Sequence, residues 1–274
     1  MPGLQFSEKF LKRRAQIGSP LCIGLDPEWE KLPGVAKDQK HPLSYFCNAI
    51  VDSTAEYACA YKPNIAFFER FGSHGILQFE EVIHHLKTKY PHIPIVADVK
   101  RGDLANTSKE YAKYYFQNLG IDSITVSPYM GMDSILPYIE YGGHIFILCL
   151  TSNAGSSDFQ RLSLEFSTPF YEHLATFFEG ESSNFPGQLG LVVGATHPFD
   201  LEKVRNLSPS LHLLIPGYGA QGGKIEEILP ICGKLSLINS SRSIIFASTG
   251  TDFAEKAREV SHSIHLSMKR ILEN

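Results

Sequence analysis

Asp98, Lys100 and Asp103 crowd two carboxylates and an ammonium into six residues. The apolar run Ile93-Pro94-Ile95-Val96 just before them reads as a buried parallel strand, Ile95–Lys100. Residues two apart on a strand point the same way, so Asp98 and Lys100 share one face and Val99 takes the other. Arg101-Gly102 then breaks the strand and sets Asp103 on the loop at its C-terminal end. Charges are seldom placed there for stability, because burying each costs several kcal/mol. A plain salt-bridged loop is the alternative. Lys62, at the end of the preceding strand, brings a second ammonium. Lys62, Asp98, Lys100 and Asp103 are then expected to form an alternating charge network in which each ammonium lies between carboxylates and both signs stay ionised.

A protonated lysine beside a carboxylate suits proton donation to a developing carbanion. Schiff-base chemistry at Lys62 or Lys100 is the competing use. Flanking carboxylates oppose it, because they hold a lysine protonated. Two close aspartates also suggest a divalent ion. Here two lysines already neutralise them and no histidine is near in sequence, so no metal site is expected.

A second constellation could hold phosphate. Pro216-Gly217-Tyr218-Gly219-Ala220-Gln221-Gly222-Gly223 is followed one strand later by Ser240-Ser241-Arg242. Gly217, Gly219, Gly222 and Gly223 let backbone N–H groups approach an anion. Arg242 offers a planar, bidentate donor. Gln221 is read as a bridge between phosphate and substrate, with loop capping as the other role. Ser152 has a hydroxyl and an N–H with which to read a planar heterocycle, or else caps its turn. Asp26 would accept from ribose hydroxyls, or else caps a turn.

These residues need a frame that gathers strand ends. Candidate strands are Leu21–Leu25, Ala58–Tyr61, Ile95–Lys100, Ser123–Val126, Ile145–Leu150, Gly190–Val193, His212–Ile215 and Leu235–Ile238. Candidate helices lie near Phe6–Ile17, Leu43–Glu56, Ile76–Tyr90, Ser108–Leu119, Met132–Tyr141, Thr168–Phe178, Leu201–Leu207 and Phe253–Leu272. The alternation predicts an α/β fold, a single (β/α)8 TIM barrel spanning residues 1–274. A doubly wound open sheet is the alternative, but no Gly-x-Gly-x-x-Gly follows the first strand. In a barrel, chemistry belongs at the C-terminal ends of strands, where every residue named above falls.

Composition narrows the function further. The chain has 274 residues, 43% hydrophobic, with a net charge of −4 and no basic stripe, which argues against a nucleic-acid surface. Its five cysteines are widely spaced without a Cys-x-x-Cys, so neither a disulfide framework nor a zinc site is expected. The N-terminal residues lack the apolar core of a signal peptide, and no apolar run reaches membrane-spanning length. A cytoplasmic protein is expected.

Asp98-x-Lys100-x-x-Asp103, with Lys62 before it and Thr107 four residues on, resembles the catalytic signature of the orotidine 5'-phosphate decarboxylase family. Lys62-Pro63-Asn64-Ile65-Ala66-Phe67-Phe68-Glu69 and the loop Pro216–Gly223 resemble its longer bacterial branch. The match runs in order from Gly24 to Arg242. The Asp-x-Lys-x-x-Asp core also fits Mg²⁺-dependent sugar-phosphate aldolases and decarboxylases of the same superfamily; Lys62, the glutamine-bearing loop and Arg242 narrow it. A non-catalytic phosphate-binding barrel would not need the charged residues. The resemblance implies decarboxylation of orotidine 5'-monophosphate to uridine 5'-monophosphate, without metal or organic cofactor. It implies Lys62, Asp98, Lys100 and Asp103 as catalytic. It implies Asp26, Thr107, Ser152, Gly217, Gln221, Ser241 and Arg242 as substrate-binding. It also implies a homodimer in which Asp103 and Thr107 reach into the partner's site.

Overall fold

A computed structural model describes residues 2–164, 167–196, 198–217 and 224–273. Helix α1 (Pro2–Ile17) ends at Gly18, which takes the left-handed conformation (φ 77°) that glycine accepts without strain. Strand β1 (Leu21–Leu25) leads through α2 (Gly34–Lys37) and α3 (Pro42–Thr54) to β2 (Ala60–Pro63). Helices α4 (Ala66–Glu69) and α5 (Gly72–Lys89) precede β3 (Val96–Arg101). Helix α6 (Ala105–Ala112), prolonged by a π-helical turn at Lys113–Asn118, precedes β4 (Ser123–Val126). There follow α7 (Met132–Glu140), β5 (His144–Leu150), α8 (Ser156–Phe159), α9 (Phe170–Glu181), β6 (Leu189–Val193) and α10 (Pro198–Leu207). The chain continues with β7 (His212–Pro216), α11 (Ile225–Cys232), β8 (Ser236–Ser240), α12 (Arg242–Ile245) and α13 (Phe253–Glu273).

The strands are parallel, in the order β2-β1-β8-β7-β6-β5-β4-β3. The two ends of that order meet at parallel bridges, Tyr61 with Ile95 and Asn64 with Asp98. The result is the predicted (β/α)8 barrel, nearly closed. Every predicted strand is present, with its ends shifted by two residues or fewer. No helix was expected between β7 and β8, yet α11 lies there. The helix contains Pro230, but Ile225, Ile228, Leu229 and Cys232 form one buried stripe that holds it on the barrel. Arg101 also departs from expectation: it extends β3 and pairs with Val126.

The barrel interior is filled by Cys22, Ala60, Val96, Phe146, Val192, Leu214 and Leu237. Helix α1 closes the N-terminal end, where Phe6 and Phe10 pack against His212 and Phe6 also stacks on His144. Two residues further along several strands, on the same inward face, the apolar lining gives way to Gly24, Lys62, Asp98, Gly194, Pro216 and Asn239. The packed core therefore lies beneath the rim, which is where ionic and polar groups collect. Among the described residues no helix is long and apolar enough to cross a membrane.

Candidate active site

Asp98 is clasped between two lysines. Lys62 Nζ lies 2.7 Å from Asp98 Oδ2, and Lys100 Nζ lies 2.5 Å from Oδ1. Lys62 and Asp98 are buried, with 4% and 9% of their surfaces exposed, while the Lys100 side chain is half exposed at the mouth. Burial alone would push the Asp98 carboxyl up. Lys62 and Lys100 outweigh it and hold the carboxyl well below the usual carboxylate range. Burial alone would lower the Lys62 ammonium, but Asp98 and then Asp26 raise it above the ordinary lysine value. The expected four-membered network is thus three-membered within one chain. Asp103 is in no ion pair among the described residues; its Oδ1 accepts from the Leu104 N–H at 2.7 Å. Thr107 is exposed in the first turn of α6.

Asp98 and Lys100 meet within a bulge. Ala97 pairs with Ile124 and Arg101 with Val126, so four steps along β3 match two along β4. Lys100 sits in the left-handed region (φ 44°), unusual for a residue with a side chain. Thr125 fills the gap. Its Oγ1 accepts from Val99 N at 3.0 Å and Lys100 N at 2.9 Å, and its hydroxyl donates to Asp98 Oδ1 at 3.0 Å. Sequence reasoning missed Thr125. The available signal was a hydroxyl in the apolar strand Ser123–Val126, on the same face as Ser123.

Across the β1–β8 seam, Ser241 donates its hydroxyl proton to Asp26 Oδ2 at 2.5 Å. Its side chain is thereby turned onto a carboxylate. Asp26 Oδ1 and the nearby Asn239 Oδ1 are buried without a hydrogen-bond partner among the described residues. Gly24 is required beside them, because a Cβ there would meet the Ser241 Cβ at 2.7 Å.

At the end of β5, Thr151 is held within its own loop: its N–H donates to Gln160 Oε1 at 2.7 Å and its hydroxyl to Asn153 Oδ1 at 2.6 Å. Ser152 instead packs against the end of β6, where a Cβ on Gly194 would lie 2.9 Å from both its Cβ and its N. Arg242 opens α12, exposed at the mouth and in no ion pair among the described residues. Gly217 adopts φ 101° at the end of β7, a conformation that favours glycine. Gly219, Gln221, Gly222 and Gly223, the rest of the expected phosphate loop, lie outside the described residues. Among the described residues no group of three His, Cys, Asp or Glu is placed to hold a metal ion.

Residues 19–260 match the model of the Orotidine 5'-phosphate decarboxylase / HUMPS family. The chain belongs to this family. An orotidine 5'-phosphate decarboxylase of Leptospira interrogans is 54% identical over 268 residues, covering 97% of this chain and 96% of that one. The family fold is equally plain in solved structures. Leishmania donovani OMP decarboxylase superposes with a TM-score of 0.78 at 37% identity, over 95% of this chain and 98% of that one. A putative orotidine-monophosphate-decarboxylase from Toxoplasma gondii gives 0.85 at 32% identity, over 97% and 98%. Leishmania donovani UMP synthase gives 0.81 at 39% identity, over 95% of this chain and 56% of the longer one.

Proposed function

We propose that this protein decarboxylates orotidine 5'-monophosphate to uridine 5'-monophosphate and CO2 in de novo pyrimidine synthesis, with Lys100 as the proton donor to C6. The observation that carries the reading is the Lys62–Asp98–Lys100 clasp at the barrel mouth, in a member of this family. The bond from C6 to the carboxylate breaks, its electron pair stays on C6, and CO2 leaves. An ammonium proton of Lys100 then passes to C6, and water restores that proton. No electron sink such as a Schiff base is available to the carbanion. Enzymes lower barriers by roughly 8–23 kcal/mol, and this step calls for the upper end of that range. Fixed ammonium groups aimed at the developing charge supply the stabilisation.

Asp98 lies against the departing carboxylate, and Lys62 keeps it ionised and in place. Arg242, Gln221 and the N–H groups beginning at Gly217 hold the phosphate, far from C6. Their binding energy is realised in the transition state. Ser152 reads the pyrimidine edge, and Asp26, oriented by Ser241, accepts from the ribose. We assign Asp103 and Thr107 to the partner's site in a homodimer, which accords with Asp103 standing apart from its own chain's lysines. The five cysteines, all unpaired and buried, suit a reducing compartment, and the cytoplasm is the proposed location.

The test is loss of orotate absorbance with purified protein in EDTA. Turnover of orotidine 5'-monophosphate in the chelator is the expected result. Activity confined to a ketose phosphate and lost with EDTA would replace this reading with the metal-dependent one. Tight nucleotide binding without turnover would replace it with a non-catalytic barrel.

A further inference from the structure

We propose that Thr125 is a positioning residue for this reaction: its hydroxyl sets the β3 bulge that lays Lys100 over Asp98. The proposal rests on the role given to Lys100 above.

A hydroxyl has one proton to donate and two lone-pair directions to receive on. At Thr125 all three are engaged within the protein. The lone pairs take the N–H groups of Val99 and Lys100, which lie in the bulge between the paired residues Ala97 and Arg101. A buried N–H left without an acceptor is costly, and Thr125 Oγ1 serves as the acceptor for both. With both lone pairs occupied by donors, the proton can point only at Asp98 Oδ1. That oxygen is the one that receives Lys100 Nζ. One oxygen atom on β4 therefore fixes the Lys100 backbone, including its left-handed φ, and also the carboxylate on which the Lys100 side chain rests. Both ends of the proton donor are referred to the same point.

The experiment compares the unaltered protein with Thr125→Val, which keeps the shape and removes the hydroxyl, and with Thr125→Ser, which keeps the hydroxyl. A displacement of about 1 Å at a reacting group costs on the order of 100-fold in rate. In Thr125→Val, kcat should fall about 100-fold. KM and inhibition by uridine 5'-monophosphate should stay within about threefold, because the phosphate and ribose contacts are elsewhere. Thr125→Ser should restore kcat to within about threefold. A role confined to stability predicts a lower melting temperature in Thr125→Val with unchanged kcat per folded molecule, and that result would overturn the proposal. So would a Thr125→Ser variant as slow as Thr125→Val. Should Thr125→Val not fold, Thr125→Ala carries the same comparison without a methyl group against Asp98. Failure of the unaltered protein to turn over the substrate would overturn the proposed function and this role together. A fast Thr125→Val beside an active parent would overturn this role alone.

Discussion

Lys62 reaches Asp98 across the least continuous seam of the barrel, with Nζ 2.7 Å from Oδ2. Strands β2 and β3 otherwise meet there at the bridges of Tyr61 with Ile95 and Asn64 with Asp98. The same ion pair therefore poses the carboxylate and fastens the barrel. Removing one partner of a buried pair costs about 3–5 kcal/mol, and Lys100 on the other oxygen places Lys62→Met near the lower end. The Asp98 carboxyl is depressed in the folded state, so its contribution is present above the unfolded value near pH 4 and is lost as pH falls below it. Lys62 is raised, so its contribution is full below about pH 10 and is lost as pH climbs beyond that. Urea unfolding of parent and variant should show a constant gap from pH 5 to about 9, narrowing at both extremes. A gap that stays constant down to pH 2 would contradict it.

Lys100, the proposed proton donor, is held in a costly backbone conformation. Lys100→Ala should lower kcat by about 10⁴-fold or more, with uridine 5'-monophosphate binding largely kept. Lys100→Gly should be equally inactive yet melt higher than Lys100→Ala, since glycine accepts φ 44° and alanine does not. Turnover of Lys100→Ala above about 1% of the parent would remove it from the role of proton donor.

Much of this was legible in the sequence, for a physical reason. Strand ends in a barrel converge, so inward side chains such as Lys62 and Asp98 can be brought together by periodicity and strand order alone. What failed was local. The extra residues in β3 are a matter of register with β4, and register is not written in β3 itself; the Thr125 contact follows from that register. Helix α11 contains Pro230, whose cost is met by burial against the barrel, a tertiary contact that the segment itself does not announce. The contact of Ser241 with Asp26 follows from the pairing of β1 with β8, which neither strand's own pattern encodes. The position of Asp103 relative to its own lysines depends on where the loop after Gly102 travels, which strand patterning does not encode.

The floor of the barrel should make the protein acid-sensitive. His212 lies beneath Phe6 and Phe10, and burial lowers it to about 4. His144 beside it is lowered too, again by burial. A histidine held neutral in the fold and ordinary in the unfolded chain contributes stability above pH 6.5 that is lost as pH falls toward its folded value. His212 alone should account for about 2–3 kcal/mol between pH 7 and 4.5. Chemical unfolding of parent and His212→Phe at those two values measures it. A loss as steep in the variant as in the parent would exclude His212 as the source.

Gly194 is the floor on which Ser152 rests. Gly194→Ala sets a methyl 2.9 Å from the Ser152 backbone nitrogen, and the β5–β6 pairing leaves little room for retreat. The Ser152 loop must shift, so KM for the nucleotide should rise about tenfold, while the Lys62–Asp98–Lys100 clasp on the other side of the barrel is untouched. Steady-state kinetics with Ser152→Ala alongside checks the path of the effect. If Ser152 reads the base, the double variant should be little worse than either single one, because both remove the same contact. Fully additive losses would separate Gly194 from Ser152.

Arg242 stands exposed at the mouth with no acid partner among the described residues, so its removal should leave the fold nearly unchanged. If it grips a phosphate that takes no part in bond making, Arg242→Ala should lower kcat/KM by about 10³-fold or more. Charge-assisted bidentate contacts are roughly twice as strong as neutral ones, and the loss is felt in the transition state. With the nucleoside lacking phosphate, parent and variant should differ by less than about threefold, since the contact is absent from both. Arg242→Lys should recover little, because a single ammonium cannot reproduce the guanidinium fork. Equal losses on the phosphorylated and the truncated substrate would rule out the grip, and a fallen melting temperature would assign Arg242 to the fold instead.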